Sequence, residues 1–362
     1  MLAFSSFHLI AIGALVTLMV LGAVFFAAAR SGWMRNGYFS LPSVVLIVLG
    51  LFILFQGLGS GITLAVVGIH VENHPIAALT INGLSEITIL MAGAVLISKV
   101  ARQNLFAVFR LEGIRETPLA AYVLAVPIML MAQIGGSAFS TLFEHFWKFF
   151  PDFYRALDTY ETASDTAMQG LVTANGPMDF LLILLFVAIV PALAEETLFR
   201  GFAQTNIERS GQHHTRPYVA LFVASLLFAM VHGSLFKLPG LFVLGLTLGW
   251  LTYRTNNLFA GGLAHALNNG FIVAALYFSP EQISVKSNTN LVGATGLSGA
   301  ESLIALAVIL PLMALFLILF NRVTANLQAR GNAERALQKR LAPPITFPAE
   351  DINIENPPTE YE

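Results

Sequence analysis

Glu195, Glu196 and Arg200 stand within six positions of one another in an otherwise apolar run. A charge at membrane depth costs roughly 2.5–3.5 kcal/mol or more, so three together ask for a chemical account. On a helix, Glu196 and Arg200 lie four apart on one face with the acid first, the favourable order for an ion pair. Glu195 points about 100° away and lacks that partner. A carboxylate without a cation in a low-dielectric setting is suited to take a proton from water, which is what hydrolysis needs. Two more polar pairs sit in apolar surroundings, Phe228 with His232 and His265 with Asn269, each again four apart. Neutral imidazole either binds a divalent metal or hydrogen-bonds a developing oxyanion, and Asn269 offers an N–H for the second purpose. Glu195, His232 and His265 also supply the donor types of an open zinc site. The plainer alternatives are a buried ion pair with a spare acid and two histidines bonded between helices.

The elements that must hold these residues are apolar helices. The chain has 362 residues, 56 % hydrophobic and only 11 % charged, far from a soluble globular composition. It reads as an all-α, polytopic membrane bundle. Runs of spanning or nearly spanning length fall at about 7–29, 41–69, 76–98, 119–143, 179–204, 217–236, 238–252, 258–278 and 302–321, which predicts nine helices. The seventh is short, and either re-enters the membrane or pairs in a tilted way with the sixth. No Lys or Arg precedes the first run, and Arg30 and Arg35 come after it, which suits a first span rather than a signal peptide. With the N-terminus outside and the C-terminus cytoplasmic, only Lys148, Arg155, Lys237 and Lys286 fall on the outer side. The net charge is −2 and no dense basic stretch lies outside the membrane boundaries, so a nucleic-acid partner is not expected. There is no cysteine, which excludes disulfides, thiolate metal sites and cysteine nucleophiles.

The chain divides into five regions: membrane helices without an assigned role (1–143), an outer interfacial segment (144–178), a core (179–278), an outer loop with the last span (279–321) and a polar, Pro-rich tail (322–362). Phe146, Trp147, Phe149, Phe150, Phe153 and Tyr154 mark the outer segment as a headgroup-layer helix. Pro191, four residues before Glu195, removes a backbone donor and should widen the helix there. Gly245 and Gly249 read as a close helix contact, and Gly57, Gly59 and Gly61 as the same or a flexible point. His70 and His74 form a polar turn, and His213 and His214 belong to an inner loop. One feature fits poorly: at ~1.5 Å per residue, His232 lies about 10 Å and Glu195 about 24 Å from the outer ends of their runs, so straight helices leave them at different depths.

Glu-Glu-x-x-x-Arg, then Phe-x-x-x-His, then His-x-x-x-Asn, each on its own apolar run, resembles the CAAX-protease and bacteriocin-processing (CPBP) family of intramembrane proteases over about 179–278. The resemblance implies an endopeptidase with Glu195, Glu196, Arg200, His232, His265 and Asn269 at its centre. It also implies a membrane protein or peptide substrate, prenylated or bacterial, met within the lipid bilayer of a bacterial-type cell membrane. The family includes both a metal-dependent account, with zinc on Glu195, His232 and His265, and a metal-free one, and the residues leave that choice open. No His-Glu-x-x-His, Gly-x-Ser-Gly or Gly-x-Gly-Asp pattern supports a rival protease chemistry. From other classes, the alternatives are a non-catalytic scaffold or immunity protein that keeps the pocket, and a proton-coupled transporter; no inverted repeat is discernible for the latter.

Overall fold

The computed structural model describes residues 32–68, 70–211, 216–278, 298–327, 329 and 330. The expected first span at 7–29, His213, His214, the loop around Lys286 and the tail from 331 onward lie outside the described residues.

The described chain is a helix bundle with one small ladder. Strands β1 (Met34–Arg35) and β2 (Tyr38–Phe39) pair antiparallel through Asn36 and Gly37, both at positive φ, the turn that Asn-Gly favours. Helix α1 spans Leu41–Val66 and α2 Pro75–Val100; α3 is Leu119–Trp147, α4 Pro151–Val172 and α5 Pro177–Ser210. After them come α6 (Arg216–Val231), α7 (Leu238–Thr255), α8 (Leu258–Phe278) and α9 (Gly299–Val323). Prolines open several of these helices, at Pro42, Pro75, Pro151, Pro177 and Pro239, where the missing N–H has no helical acceptor to lose.

Among the described residues six helices are long and apolar enough to cross a membrane: α1, α2, α3, α5, α8 and α9. The expected run at 217–236 is the shorter α6, of 16 residues, and that at 238–252 is α7, which extends to 18 residues. The chain is an integral membrane protein. One boundary differs from the expectation: α3 continues to Trp147, so the first aromatics of the outer segment extend a spanning helix and the separate outer helix starts at Pro151.

Helix α5 is the hub. Every residue from Thr197 to Gln204 is buried, and Phe199 and Phe202 share an apolar cluster with Phe228, Leu227 and Leu241 of α6 and α7. A second cluster joins α3, α7, α8 and α9 through Ile128, Met129, Leu248, Ala264 and Phe320. Small residues let the helices meet at backbone distance. A Cβ on Gly245 would lie 3.0 Å from Ser225 Cα, and one on Gly136 would lie 3.1 Å from Gly240 Cα. Gly59 faces Ser85 in ordinary contact, whereas Gly57 and Gly61 meet nothing within 4 Å.

The segment between α2 and α3 is tied to this hub by a buried cation. Arg110 donates from Nε to Thr205 Oγ1 at 3.0 Å and from Nη2 to Glu208 Oε2 at 2.6 Å. The N-terminal half is thus fastened to α5 by charge as well as by apolar packing.

Candidate active site

Three helices bring the polar residues together, and α5 sets the pattern. It carries two wide, π-helical stretches, Leu184–Ile189 and Thr197–Gln204, on either side of the acids. Such stretches change the rotation of the turns beyond them and are frequent at functional sites. Pro191 has no N–H to give the Val187 carbonyl four residues earlier, and Asn269 Nδ2 of α8 donates to that carbonyl at 3.3 Å. A local defect in α5 thereby becomes a tie that places Asn269.

Glu196 is 1 % exposed and works as an anchor. Its Oε1 accepts from Arg200 Nη1 at 2.8 Å and from His265 Nδ1 at 3.0 Å. Arg200 also donates from Nη2 to the Gly245 carbonyl at 3.2 Å and lies over the Phe228 ring, 4.4 Å from its centroid. A buried ion pair is costly to desolvate unless further hydrogen bonds support it, and here Gly245 and His265 each add one, while Glu196 Oε2 is left without a donor. Gly261 allows α8 to come this close, since a Cβ there would sit 3.2 Å from Glu196 Oε2 and closer still to Thr252 Oγ1.

Glu195 points elsewhere, as its rotation on the helix predicts. Its side chain is 17 % exposed, and its Oε2 lies 4.0 Å from His265 Nε2, too far for a direct hydrogen bond. That oxygen is buried and has no protein donor. Glu195, Phe228, His232, His265, Asn268 and Asn269 line one cavity of about 70 Å³. A volume of that order holds a few water molecules, and 4.0 Å between two polar atoms is a span that one water bridges. Because carboxylate and carbonyl oxygens only accept, the Nδ1 protons of both histidines are assigned: His265 gives its proton to Glu196, and His232 gives its own to the Phe228 carbonyl at 2.6 Å. Each ring thus leaves Nε2 for the cavity.

The depth mismatch disappears because α6 is shorter than the apolar run suggested. It stops at Val231, Gly233 turns the chain at φ +69, and His232 therefore sits exposed at the helix end, level with the cavity. Glu195, His232 and His265 thus border the same cavity, although among the described residues no three His, Cys, Asp or Glu side chains form a group that could hold a metal ion as placed. His70 bonds Glu72 at 3.0 Å on the exposed outer turn and belongs to no such group.

Sequence reasoning missed Glu86 and Asn268. Glu86, on the wide stretch of α2, is 6 % exposed, accepts from Asn82 Nδ2 at 2.7 Å and leaves Oε2 without a protein donor. The Glu86–Met91 stretch packs on the α5 segment that carries the acids, close enough for Glu86 and Glu195 to interact electrostatically. The signal was present, for Glu86 is the one charged side chain of α2 before Lys99. Asn268 donates to Gln133 Oε1 at 3.2 Å and walls the cavity on the α3 side.

Against known families, residues 177–271 match the model described as "Rce1-like: Type II CAAX prenyl endopeptidase Rce1-like". No curated protein and no solved structure matches the chain. The match covers α5 to α8 up to Phe271, and so contains every residue of the three motifs. With those motifs around a common cavity, residues 177–271 are a domain of the Rce1-like, CAAX-protease (CPBP) family of intramembrane proteases.

Proposed function

We propose that the protein is an intramembrane endopeptidase in which Glu195 activates water against a peptide bond of a membrane-associated substrate. The observation that carries this reading is the buried Glu195 Oε2, which has no protein donor, faces a water-sized cavity and lies 4.0 Å from His265 Nε2. A water between them gives its proton to Glu195 as its oxygen attacks the carbonyl carbon, and Glu195 then passes that proton to the departing amine. Glu196 and Arg200 keep the helix rotation and the His265 ring fixed, so the base is pre-positioned. The carbonyl oxygen, as it gains charge, is met by the second N–H of Asn269, with the His232 ring beside it on the cavity wall. None of these roles calls on a metal ion.

The membrane arrangement that goes with this reading has nine spans, with the N-terminus outside and the C-terminus cytoplasmic, in a bacterial-type cell membrane. The skew of Lys and Arg supports the orientation. Substrates are membrane proteins or peptides, with a prenylated C-terminus as the first class to try because the matched family is described by that activity.

The test compares membrane proteomes of cells carrying the native protein and Glu195→Gln, alongside cleavage of farnesylated and unmodified peptides by the purified proteins. Uncut substrates should accumulate with Glu195→Gln, and peptide cleavage should fall by ~10² or more with assembly unchanged. Identical proteomes and no cleavage by the native protein would leave a binding scaffold instead.

A further inference from the structure

The outer helix α4 precedes the family-matched segment, yet its most deeply buried polar residue reaches into it. Glu161 is 5 % exposed, and both of its oxygens lie 2.8 Å from Ser234 Oγ. Its Oε1 also accepts from the Phe236 N–H at 3.4 Å, and Lys237 Nζ stands 4.0 Å from its Oε2 while pairing directly with Asp165, one turn further along α4. Ser234 closes the loop on itself by accepting from the Lys237 N–H at 3.1 Å. Tyr154 of α4 stacks on Phe236 at 5.5 Å, and Ser140 of α3 bonds the Lys237 carbonyl at 3.4 Å from the other side. The connection Gly233–Lys237 between α6 and α7 is therefore clasped, and the clasp begins two residues after His232.

His232 needs such support. It lies past the last residue of α6 and is exposed, held by its bond to the Phe228 carbonyl and by the Phe228 ring at 4.7 Å. The last turn of a helix frays unless the chain beyond it is fixed. Only two residues of α4 are buried, Glu161 and Val172, and a helix of 22 residues does not bury a carboxylate at its middle for apolar packing. We infer that Glu161 is a positioning residue: by clasping Ser234, Phe236 and Lys237 it holds His232 at the mouth of the cavity, making α4 part of the catalytic unit.

This inference rests on the protease reading, so the experiment has one arm that needs substrate and one that does not. Full-length native protein, Glu161→Ala, Glu161→Gln and the milder Ser234→Ala are compared in nanodiscs. In the first arm, cleavage of a farnesylated CAAX-type peptide is followed. Glu161→Ala should lower kcat by ~10–100-fold, the scale of a misplacement near 1 Å, with KM changed less than ~3-fold. Ser234→Ala should shift the same way, and Glu161→Gln, which keeps an acceptor for Ser234 and Phe236, should recover much of the rate. In the second arm, amide exchange read by mass spectrometry should accelerate at 232–237 in Glu161→Ala and stay native through the interior of α6. Unchanged exchange at 232–237 overturns the clasp, whatever the activity. Faster exchange with native kcat reduces Glu161 to a structural tie, and a rise in KM alone makes it a substrate contact. Either result sinks the inference while leaving the protease reading intact. A native protein that cleaves nothing sinks that reading and takes this inference with it.

Discussion

The proposed mechanism gives two adjacent glutamates different tasks because the ~100° between successive helix positions turns them into different surroundings. Glu196 shares a single oxygen between Arg200 and His265, and all three are buried. Glu196→Gln should therefore cost about 3–5 kcal/mol, the scale for stranding one partner of a buried pair. Thermal unfolding in detergent checks the loss. Adding Arg200→Met should restore part of the stability, since the stranded charge is gone, but should not restore cleavage, since His265 has still lost its charged anchor. If Glu196→Gln is fully stable and only inactive, its role is chemical and the two glutamates exchange places. A second expectation concerns metal. In the proposed mechanism Glu195 takes the water proton directly, so purified protein should retain activity after chelation and hold no stoichiometric ion. About one zinc per chain, lost on His232→Ala or His265→Ala, would move both rings from hydrogen bonding to metal binding.

At the scale of elements, close approach is made by glycines whose surroundings differ. Gly245 meets Ser225 Cα where its own Cβ would be, 3.0 Å away, and its carbonyl receives Arg200. Backbone cannot yield as a flexible side chain does, so Gly245→Ala should destabilise by about 1–3 kcal/mol and loosen the Arg200 contact. Gly57 in α1 meets nothing within 4 Å. Gly57→Ala should be neutral or stabilising by about 0.5–1 kcal/mol, because alanine loses less backbone freedom in a helix. Unfolding midpoints of the two variants, measured side by side, check the contrast. Equal effects would mean that α6 and α7 do not pack as closely as the glycine indicates.

For the molecule as a whole, orientation is the property that composition predicts and packing leaves untouched. The absence of cysteine makes it testable against a silent background. Asn36, in the β1–β2 turn, and Asn73, in the turn before α2, are both exposed and lie at opposite ends of α1. Asn73→Cys should react with a membrane-impermeant thiol reagent in intact cells, and Asn36→Cys should react only after permeabilisation. The reverse result would invert the molecule and place the Arg-rich ends outside, against the usual bias.

What the sequence determined alone was whatever depends on neighbours along the chain. Apolar length marked the helices, and four-residue spacing paired Glu196 with Arg200 while turning Glu195 away. Those relations arise from helix periodicity, which is local. What only the tertiary structure decided was where helices touch. It put His265 on Glu196, 69 residues apart, Asn269 on the carbonyl that Pro191 leaves without its usual donor, and Arg110 on Glu208. It stopped α6 at Val231, so that His232 reaches the depth of Glu195, and it drew Glu86 and Glu161 in from the half of the chain that carried no motif. In these contacts rotation and depth are set by glycine-to-backbone packing between helices far apart in sequence, and no single helix carries that information in its own periodicity.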